Sequence, residues 1–376
     1  MSRSGWFGGF KDELRHIFRR QPKLALLLFG VPLFCSLAFG SVYGGNVIKN
    51  IPTVVYDQDQ TKVSRALVQA FADSERYDIV LQVDSQEELE NALQENAALA
   101  ALSIPPAFSL DIKSNRASQL LVTSSSDNLL YANAIASTSQ EIIQTFAAGA
   151  AAKLLEVIDE QPDQALRNAA PLRLGIRLLN NPTSAYNYFM LPSLGAHTLQ
   201  LGIMLATCGV MLRQRQRREG AVSLAGRLCA YWLCSFIAYL SYLTMIHFVF
   251  AIPIRGSLWQ IGLLGFTFTG ALVSVGSFFS SAAKDELDAV RKPMLYIMPA
   301  SLFSGFSWPF MAMNDFSYIF SALMPLSYCA DPLRDLLLAG YTPVFWQSIA
   351  SLLAFAVFFL STACLLLKRN SKEVAS

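Results

Sequence analysis

The sequence predicts an α-helical polytopic membrane protein with six transmembrane helices and an inserted extracytoplasmic α/β domain. Of its 376 residues, 53% are hydrophobic and 15% are charged, which is too apolar for a soluble protein and too charged for one that lies wholly in lipid. Long apolar segments flank a polar stretch at 44–185. Basic residues cluster in the connections that would face the cytoplasm.

The first 23 residues are predicted to form an amphipathic interfacial helix on the membrane surface. Residues 24–43 follow as the first transmembrane helix. A cleaved signal peptide is the competing interpretation, but 20 apolar residues span about 30 Å as a helix, longer than a signal core. Basic residues before this helix place the N-terminus in the cytoplasm. The apolar face of the interfacial helix comprises Trp6, Phe7, Phe10, Leu14, Ile17 and Phe18.

Residues 44–185 are predicted to form the extracytoplasmic α/β domain. Alternating strand and helix patterns indicate a mixed sheet, and Ser85 with Glu88 reads as a capping box that opens a helix. Basic residues in this region do not contradict an outside location, because long translocated domains escape the charge rule. The strands are predicted at 51–57, 78–83, 98–104 and 119–124, and the helices at 61–76, 85–96 and 128–158.

The region 186–376 is predicted to contain five transmembrane helices. Three basic residues fill one turn, and three more end the chain, so both termini are predicted to be cytoplasmic. These residues are Lys284, Arg291, Lys292, Lys368, Arg369 and Lys372. The five helices are predicted at 186–212, 228–254, 258–283, 293–313 and 343–367.

A dense block of arginines separates the second and third predicted spans. Positive residues in short loops stay in the cytoplasm, so this block fixes the side of the turn. A soluble cytoplasmic partner would also find its docking surface here. The competing interpretation is an anchor for topology only. The block comprises Arg213, Arg215, Arg217 and Arg218, followed by Glu219 and Gly220.

Residues 316–340 are apolar but are interrupted by prolines, which argues against an ordinary span. We expect a pair of re-entrant or interfacial helices there. Asp331 is predicted as an N-cap and Pro332 as the first helical residue of a helix that runs to Leu338, with Gly340 just past its end. A plain extracytoplasmic loop is the alternative, and it would leave many apolar side chains in water.

The sequence argues against several kinds of chemistry. It holds no Gly-x-x-x-x-Gly-Lys-Ser/Thr motif, so any ATP must be bound by another subunit. His16, His197 and His247 lie far apart without acidic neighbours, so we expect no catalytic residue, metal site or cofactor in this chain. Few charges lie inside the spans, which disfavours ion-coupled transport, and the basic residues form no stripe suited to nucleic acid.

Five segments carry a resemblance to a known family. The segments are Val54-Val-Tyr-Asp-Gln-Asp59 with Ser64-Arg65-Ala-Leu67, Ile104-Pro-Pro-Ala-Phe108, Phe303-Ser-Gly-Phe-Ser-Trp-Pro309, Leu323-Met-Pro-Leu-Ser-Tyr328 and Asp331-Pro-Leu-Arg334 to Gly340. With them the chain resembles the permease subunit of a type-2 ABC exporter, in the branch with a large extracytoplasmic domain between the first and second transmembrane helices. The match runs nearly from end to end.

The resemblance implies a subunit that moves lipophilic or lipid-linked compounds outward across the bacterial inner membrane, powered by a cytoplasmic ABC ATPase that binds ATP and Mg. A second permease copy or a paralogue would complete the pathway, and membrane lipid and a periplasmic adaptor are further expected partners. The N-terminal helix and the first cytoplasmic loop would dock on the ATPase. The coupling candidates are Lys11, Arg15, Arg19, Arg213, Arg215, Arg217, Arg218 and Glu219.

Five further residues in the resembling segments are candidates for domain integrity or gating. Aspartates at a strand end are also common turn residues, and an arginine one turn into a helix often pairs with a nearby aspartate. The alternative function is a non-transporting membrane receptor or scaffold with the same layout. The five candidates are Asp57, Asp59, Arg65, Asp331 and Arg334.

Overall fold

The computed structural model describes residues 5–44, 48–114, 116, 118–124, 129–156, 185–217 and 220–373. Contacts between residues divide the chain into two compact units. Met1–Asn46 and Leu178–Ser376 form the helical unit, and Val47–Arg177 forms the α/β unit. Each unit is described by itself below.

The α/β unit contains a four-stranded mixed sheet in the order β2-β1-β3-β4. The strands lie where the sequence predicts them, shifted by at most two residues. Strand β1 pairs in parallel with both β2 and β3, whereas β4 pairs antiparallel with β3. The strands are β1 Ile51–Asp57, β2 Tyr77–Val83, β3 Ala100–Ile104 and β4 Leu121–Ser124.

Side-chain caps fix where the helices of this unit begin. The Thr61 hydroxyl accepts from the Ser64 amide, and the Ser64 hydroxyl accepts from the Thr61 amide, which completes a capping box. The predicted box at Ser85 is half formed: its hydroxyl accepts from the Glu88 amide, but the Glu88 carboxylate accepts from the amide of Asp84 instead. The helices are α4 Lys62–Ala72, α5 Gln86–Gln94, α6 Phe108–Lys113 and α7 Leu129–Glu156.

One buried tyrosine ties the sheet to the long helix α7. Tyr77, in β2, donates its hydroxyl to the carbonyl oxygen of Ile135 at 2.9 Å and lies 2.7 Å from the Ser139 hydroxyl. Its ring packs against Phe71 of α4 in the core of the unit. Burial raises the pKa of Tyr77, so the hydroxyl remains protonated and able to donate at neutral pH.

The helical unit begins with three short helices joined by π-helical turns at His16–Arg20 and Leu26–Gly30. Five of its helical segments are long and apolar enough to cross a membrane: Pro22–Val42, Tyr186–Arg217, Ala221–Phe250, Leu258–Ala282 and Phe345–Arg369. The helices are α1 Trp6–Arg15, α2 Pro22–Ala25, α3 Val31–Val42, α8 Tyr186–Thr207, α9 Val210–Arg217, α10 Ala221–Phe250, α11 Leu258–Ala282, α12 Glu286–Phe303, α13 Asp315–Ser321, α14 Ala330–Leu338 and α15 Phe345–Glu373.

The segment predicted as a span at 293–313 has a different structure. Helix α12 begins seven residues earlier, where the Asp285 carboxylate caps it by accepting from the Asp288 amide at 2.8 Å. It ends at Phe303, and Gly305 beyond it has a φ of +89°. Charged residues therefore occupy its first two turns, and it is not among the five apolar segments found in the described chain. The count of six spans stays a prediction.

Two tyrosines of α10 hold the centre of the helical unit together. The Tyr242 hydroxyl donates to the carbonyl oxygens of Leu191 and Pro192 in α8, at 2.9 and 3.0 Å. The Tyr239 hydroxyl donates to the carbonyl oxygen of Ile261 in α11 at 3.0 Å. Both rings are fully buried. The Tyr242 ring fills the space beside Gly195, where any side chain would clash.

Residues 316–340 form short helices, α13 and α14, joined by a 3₁₀ turn at Pro325–Tyr328. The predicted N-cap role of Asp331 is wrong, because α14 already begins at Ala330. Asp331 lies in its first turn and forms an ion pair of 3.0 Å with Arg334. Gly340 lies past the helix end with a φ of +88°, as its predicted position requires.

We predict that Tyr77→Phe weakens the attachment of α7 to the sheet by about 1–2 kcal/mol, because the Ser139 hydroxyl loses its partner in a buried site. Hydrogen–deuterium exchange of α7 and β2 peptides in the purified protein should become faster. Tyr56→Phe is the matched control, since the half-buried Tyr56 in β1 makes no side-chain hydrogen bond among the described residues. Equal exchange in the two variants would contradict the assignment.

Candidate functional site

Helix α1 lies directly against the start of α10, and two glycines permit the close approach. Gly226 faces the carbonyl oxygen of Trp6, and Gly9 faces the carbonyl oxygen of Ser223. A Cβ atom at either glycine would clash with these backbone atoms. Small residues of this kind let two helix backbones approach closely, so the contact depends on both positions.

A buried charge cluster lies at the same crossing. Glu13, in α1, accepts a hydrogen bond from the Arg213 guanidinium at 2.5 Å, and its second oxygen lies 3.8 Å from Nε of Arg227. The side chains of Glu13 and Arg227 are 3% and 1% exposed. Arg213 also donates to the Tyr231 hydroxyl at 3.0 Å. The cluster therefore joins α1 to both α9 and α10.

Glu13 supplies the negative charge that compensates the guanidinium groups of Arg213 and Arg227. A buried guanidinium is tolerated when it is paired, and loss of one partner leaves an uncompensated charge in a poorly solvated site. His16 lies beside the cluster; its burial, followed by the nearby Arg213, lowers its pKa, against the opposing effect of Glu13. The imidazole is consequently neutral at pH 7 and adds no further positive charge.

The face of α1 that packs inside the helical unit differs from the aromatic face that the sequence predicts for the membrane surface, apart from Ile17 in the following turn, which belongs to both. Gly9, Glu13 and the following residues His16 and Ile17 point inward. The aromatic residues of the predicted apolar face remain largely outside: Trp6, Phe7 and Phe18 are 42%, 61% and 50% exposed. The side of α1 that carries Gly9 and Glu13 packs against α10, because this side combines a close backbone approach with a negative charge for the arginines.

The predicted coupling residues that the structure describes lie in α1, in the π-helical turn that follows it and in α9. Lys11 lies on the exposed side of α1 with its ammonium 4.9 Å from the centre of the Phe7 ring, and Arg15 and Arg19 are exposed. Arg215 is half-buried and Arg217 is exposed, both in α9. The arginine block is therefore helical as far as Arg217, not a turn. Arg218 and Glu219 lie outside the described residues.

Sequence reasoning missed Glu13 and Arg227. The available signal was the spacing of Gly9 and Glu13, which lie four residues apart on one helical face, in a segment otherwise rich in basic residues. An acidic residue in such a segment can indicate an internal partner, but Asp12 stands beside Glu13, and the partners of Glu13 lie about 200 residues away in the chain. Only the fold brings them together.

Asp57 and Asp59, at the end of β1, shape the connection to α4. The Asp57 carboxylate accepts from the amides of Asp59 and Gln60 at 3.1 and 3.0 Å, and from the Ser64 hydroxyl at 2.7 Å. Asp59 accepts from the Thr61 hydroxyl at 2.6 Å and from the amide of Ser109 at 3.2 Å. These contacts are those of turn residues.

Arg65 is exposed in α4 and donates to the carbonyl oxygen of Gln60 at 3.0 Å. In the helical unit, Arg334 pairs with Asp331 at 3.0 Å and places its guanidinium 4.5 Å from the centre of the Phe189 ring. Burial raises the pKa of Asp331, with Arg334 opposing the effect. The contact between Arg334 and the Phe189 ring thus fastens α14 to α8.

The arrangement around Glu13 connects α1 to α9 and α10 through ion pairs. It contains a carboxylate fully engaged with two guanidinium groups and no activated nucleophile. Among the described residues there is no group of three His, Cys, Asp or Glu side chains that could hold a metal ion. A displacement of α1 would be passed to α9 and α10 through these ion pairs.

We predict that Glu13→Gln loosens α1, because two buried arginines would face a neutral amide; the cost is about 3 kcal/mol. Amide exchange in α1 of the purified protein should become markedly faster. Asp12→Asn makes the same charge change one residue away, at a half-buried position outside the cluster, and should leave α1 protected. Unchanged protection in Glu13→Gln would show that the cluster does not hold the helix.

Comparisons with known proteins identify the family. The family described as ABC-2 family transporter protein matches residues 23–365. The probable multidrug ABC transporter permease YbhR of Escherichia coli K12 is 22% identical over 372 residues, which cover 96% of this chain and 97% of the relative. YbhS, a second probable multidrug ABC transporter permease of that strain, is 23% identical over 204 residues, 50% of this chain and 54% of the relative. The chain belongs to the ABC-2 family of transporter proteins and is the membrane permease subunit of an ABC exporter.

Proposed function

We propose that this permease subunit exports lipophilic or lipid-linked compounds, such as drug-like molecules, lipids or glycan precursors, from the cytoplasm or the inner leaflet. The apolar character of its five candidate spans supports a path for such cargo. The relatives YbhR and YbhS carry names that describe them as multidrug permeases, which agrees with this cargo class. A separate subunit binds ATP and Mg and supplies the energy.

The buried Glu13 cluster is the observation that carries the proposed coupling route. It fixes α1 to α9 and α10, so a displacement of either exposed surface is passed to the spans that follow. Lys11 and Arg15 present positive charge on α1, Arg19 presents it on the π-helical turn that follows, and Arg217 presents it at the end of α9. We place the docking surface for the ATPase on these two charged segments, with Arg218 and Glu219 completing the second.

Membership of the family implies a cytoplasmic ABC ATPase partner and a dimeric permease. The proposed assembly has two permease copies, or one copy and a paralogue, with two ATPase subunits. In the bacterial inner membrane, the proposed topology has six spans, cytoplasmic termini and an extracytoplasmic α/β unit that is open to a periplasmic adaptor. The exposed aromatic residues of α1, beside its basic residues, suit contact with membrane lipid.

We predict that Arg217→Glu combined with Arg218→Glu uncouples ATP hydrolysis from export. Reversing two adjacent charges adds repulsion against a complementary surface, while Arg213, Arg215 and Arg227 still hold the segment on its side of the membrane. The double variant should reach the membrane in normal amount. Its ATPase activity should no longer respond to cargo, or the ATPase subunit should be lost during purification.

The matched control reverses two exposed charges of the α/β unit, Lys62→Glu with Lys113→Glu. This control has the same change in net charge and should keep the ATPase subunit and cargo stimulation. Export and copurification at the unmutated level in the arginine double variant would show that these arginines serve only as a topology anchor.

We predict that reporter fusions at Ser125 and Gln216 lie on opposite sides of the membrane, the first outside and the second in the cytoplasm. A long polar domain between two spans is translocated, whereas a short arginine-rich connection is retained. A pair of reporters that are active on opposite sides gives the measurement, and a fusion after Lys372 serves as the cytoplasmic control. Signals from the same side for Ser125 and Gln216 would refute the six-span topology.

A further inference from the structure

Gln200 is a buried amide in the interior of a span. It lies about 21 Å along α8 from Tyr186, well inside a hydrocarbon core about 30 Å thick. Its side chain is 0% exposed, and neither Nε2 nor Oε1 has a hydrogen-bond partner among the described residues. Every other Asn or Gln of the five candidate spans lies within three residues of a span end: Asn187, Gln214, Gln216, Gln260 and Gln347.

Several buried hydroxyl groups of α8 and α11 are hydrogen-bonded, whereas the Gln200 amide is not, in the part of the chain that the structure describes. Thr198 and Thr207 donate to carbonyl oxygens of α8 at 2.9 Å, and Thr269 and Ser277 donate to those of α11 at 2.8 and 2.7 Å. Such local bonds satisfy a polar group without a neighbour. A purely structural polar residue at this depth is expected to be bonded in the same way, because an unpaired buried amide costs free energy. The buried hydroxyl groups of Ser36 and Ser235 also lack a partner among the described residues, but Gln200 departs further from the pattern, because both its donor and its acceptor are left unpaired.

The position of Gln200 on its helix shows where the amide points. Ser193, Gln200 and Thr207 recur every seven residues and so share one face of α8. The Ser193 hydroxyl donates to the carbonyl oxygen of Ala330 in α14, and Gly276 of α11 lies against the Thr207 hydroxyl. The amide therefore faces the seam between α8, α11 and α14.

A second unpaired polar atom lies close by on the same side. His197 precedes Gln200 by three residues, one helical turn away, and its Nδ1 is buried without a hydrogen-bond partner in the described chain. The opposite side of α8 is closed by different contacts, where Gly195 meets Tyr242 and Gly202 meets the Leu27 carbonyl. The unpaired polar atoms thus gather on the seam side.

We infer that Gln200, with His197 as a second polar group, contacts cargo when the seam opens during the transport cycle. The inference rests on the proposed lipophilic cargo and narrows it to amphipathic compounds that carry an amino, hydroxyl or carbonyl group. An amide both donates and accepts, so it can bond any of these. The cost of the unpaired amide in the closed arrangement is offset when the cargo or entering water becomes its partner.

Cysteine labelling tests the opening of the seam in the intact complex with its ATPase. We expect Gln200→Cys to react with a water-soluble maleimide at least about tenfold faster in the vanadate-trapped complex than in the nucleotide-free one, since a minor open state becomes the major state. Leu199→Cys is the matched control, because Leu199 is equally buried but points to another side of α8. The unmutated complex, with its six cysteines, gives the background rate.

A pair of probes tests the hydrogen bond itself. Ethidium carries two amino groups, whereas tetraphenylphosphonium is a lipophilic cation without a donor. In Gln200→Leu, the concentration of ethidium for half-maximal ATPase stimulation should rise about three- to tenfold, while that of tetraphenylphosphonium should stay within about twofold. Thr269→Val is the control, because it removes a hydroxyl that is bonded within its own helix. This variant should leave the ratio of the two half-maximal concentrations unchanged.

The outcomes separate this inference from the cargo proposal. If neither probe stimulates the unmutated complex, the proposed cargo class is contradicted, and the labelling result alone decides whether Gln200 becomes exposed. Equal effects of Gln200→Leu on both probes would overturn the hydrogen-bonding role. Slow labelling of Gln200→Cys in every nucleotide state, at the rate of Leu199→Cys, would overturn the inference as a whole.

Discussion

The ion pairs of Glu13 with Arg213 and Arg227 are the interaction on which the first part of the molecule depends. Two guanidinium groups in a largely apolar unit need a counter-charge within contact distance, and α1 supplies it. The backbone can come close enough only because Gly9 and Gly226 carry no side chains. The ion pairs and the two glycines lie at the same helix crossing. Together they make α1 an integral part of the helical unit.

The rest of the helical unit satisfies its polar atoms by a few repeated devices. Tyrosine hydroxyls of α10 bond carbonyl oxygens of neighbouring helices, as Tyr239 and Tyr242 do. Threonine and serine hydroxyls bond their own helix, as Thr269 does. These devices remove the cost of polar atoms in lipid. Neither device is seen for the Gln200 amide among the described residues, and this observation supports the inferred contact with cargo.

The α/β unit is organised by local hydrogen bonds and not by buried charge. Asp57 and Asp59 hold the connection from β1 to α4, and Thr61 with Ser64 caps that helix. In the segment that carries the family resemblance, these side chains hold the turn after β1, and Asp59 also ties it to the amide of Ser109. Tyr77 adds the long-range tie to α7.

The sequence by itself determined the class of membrane protein, most of the apolar helices, the four strands and the resemblance to ABC exporters, because hydropathy, strand periodicity and short motifs are local properties of the chain. It placed Gly340 correctly past a helix end. It also predicted Asp331 as the N-cap of α14, whereas that helix already begins at Ala330. Its placement of the aromatic face of α1 on the membrane surface stays a prediction, and it did not show that the Gly9 and Glu13 stripe packs against α10. Only the tertiary structure decided that Glu13 lies between Arg213 and Arg227 and that Gln200 has no hydrogen-bond partner within the described ranges, because these facts depend on residues far apart in sequence that pack together.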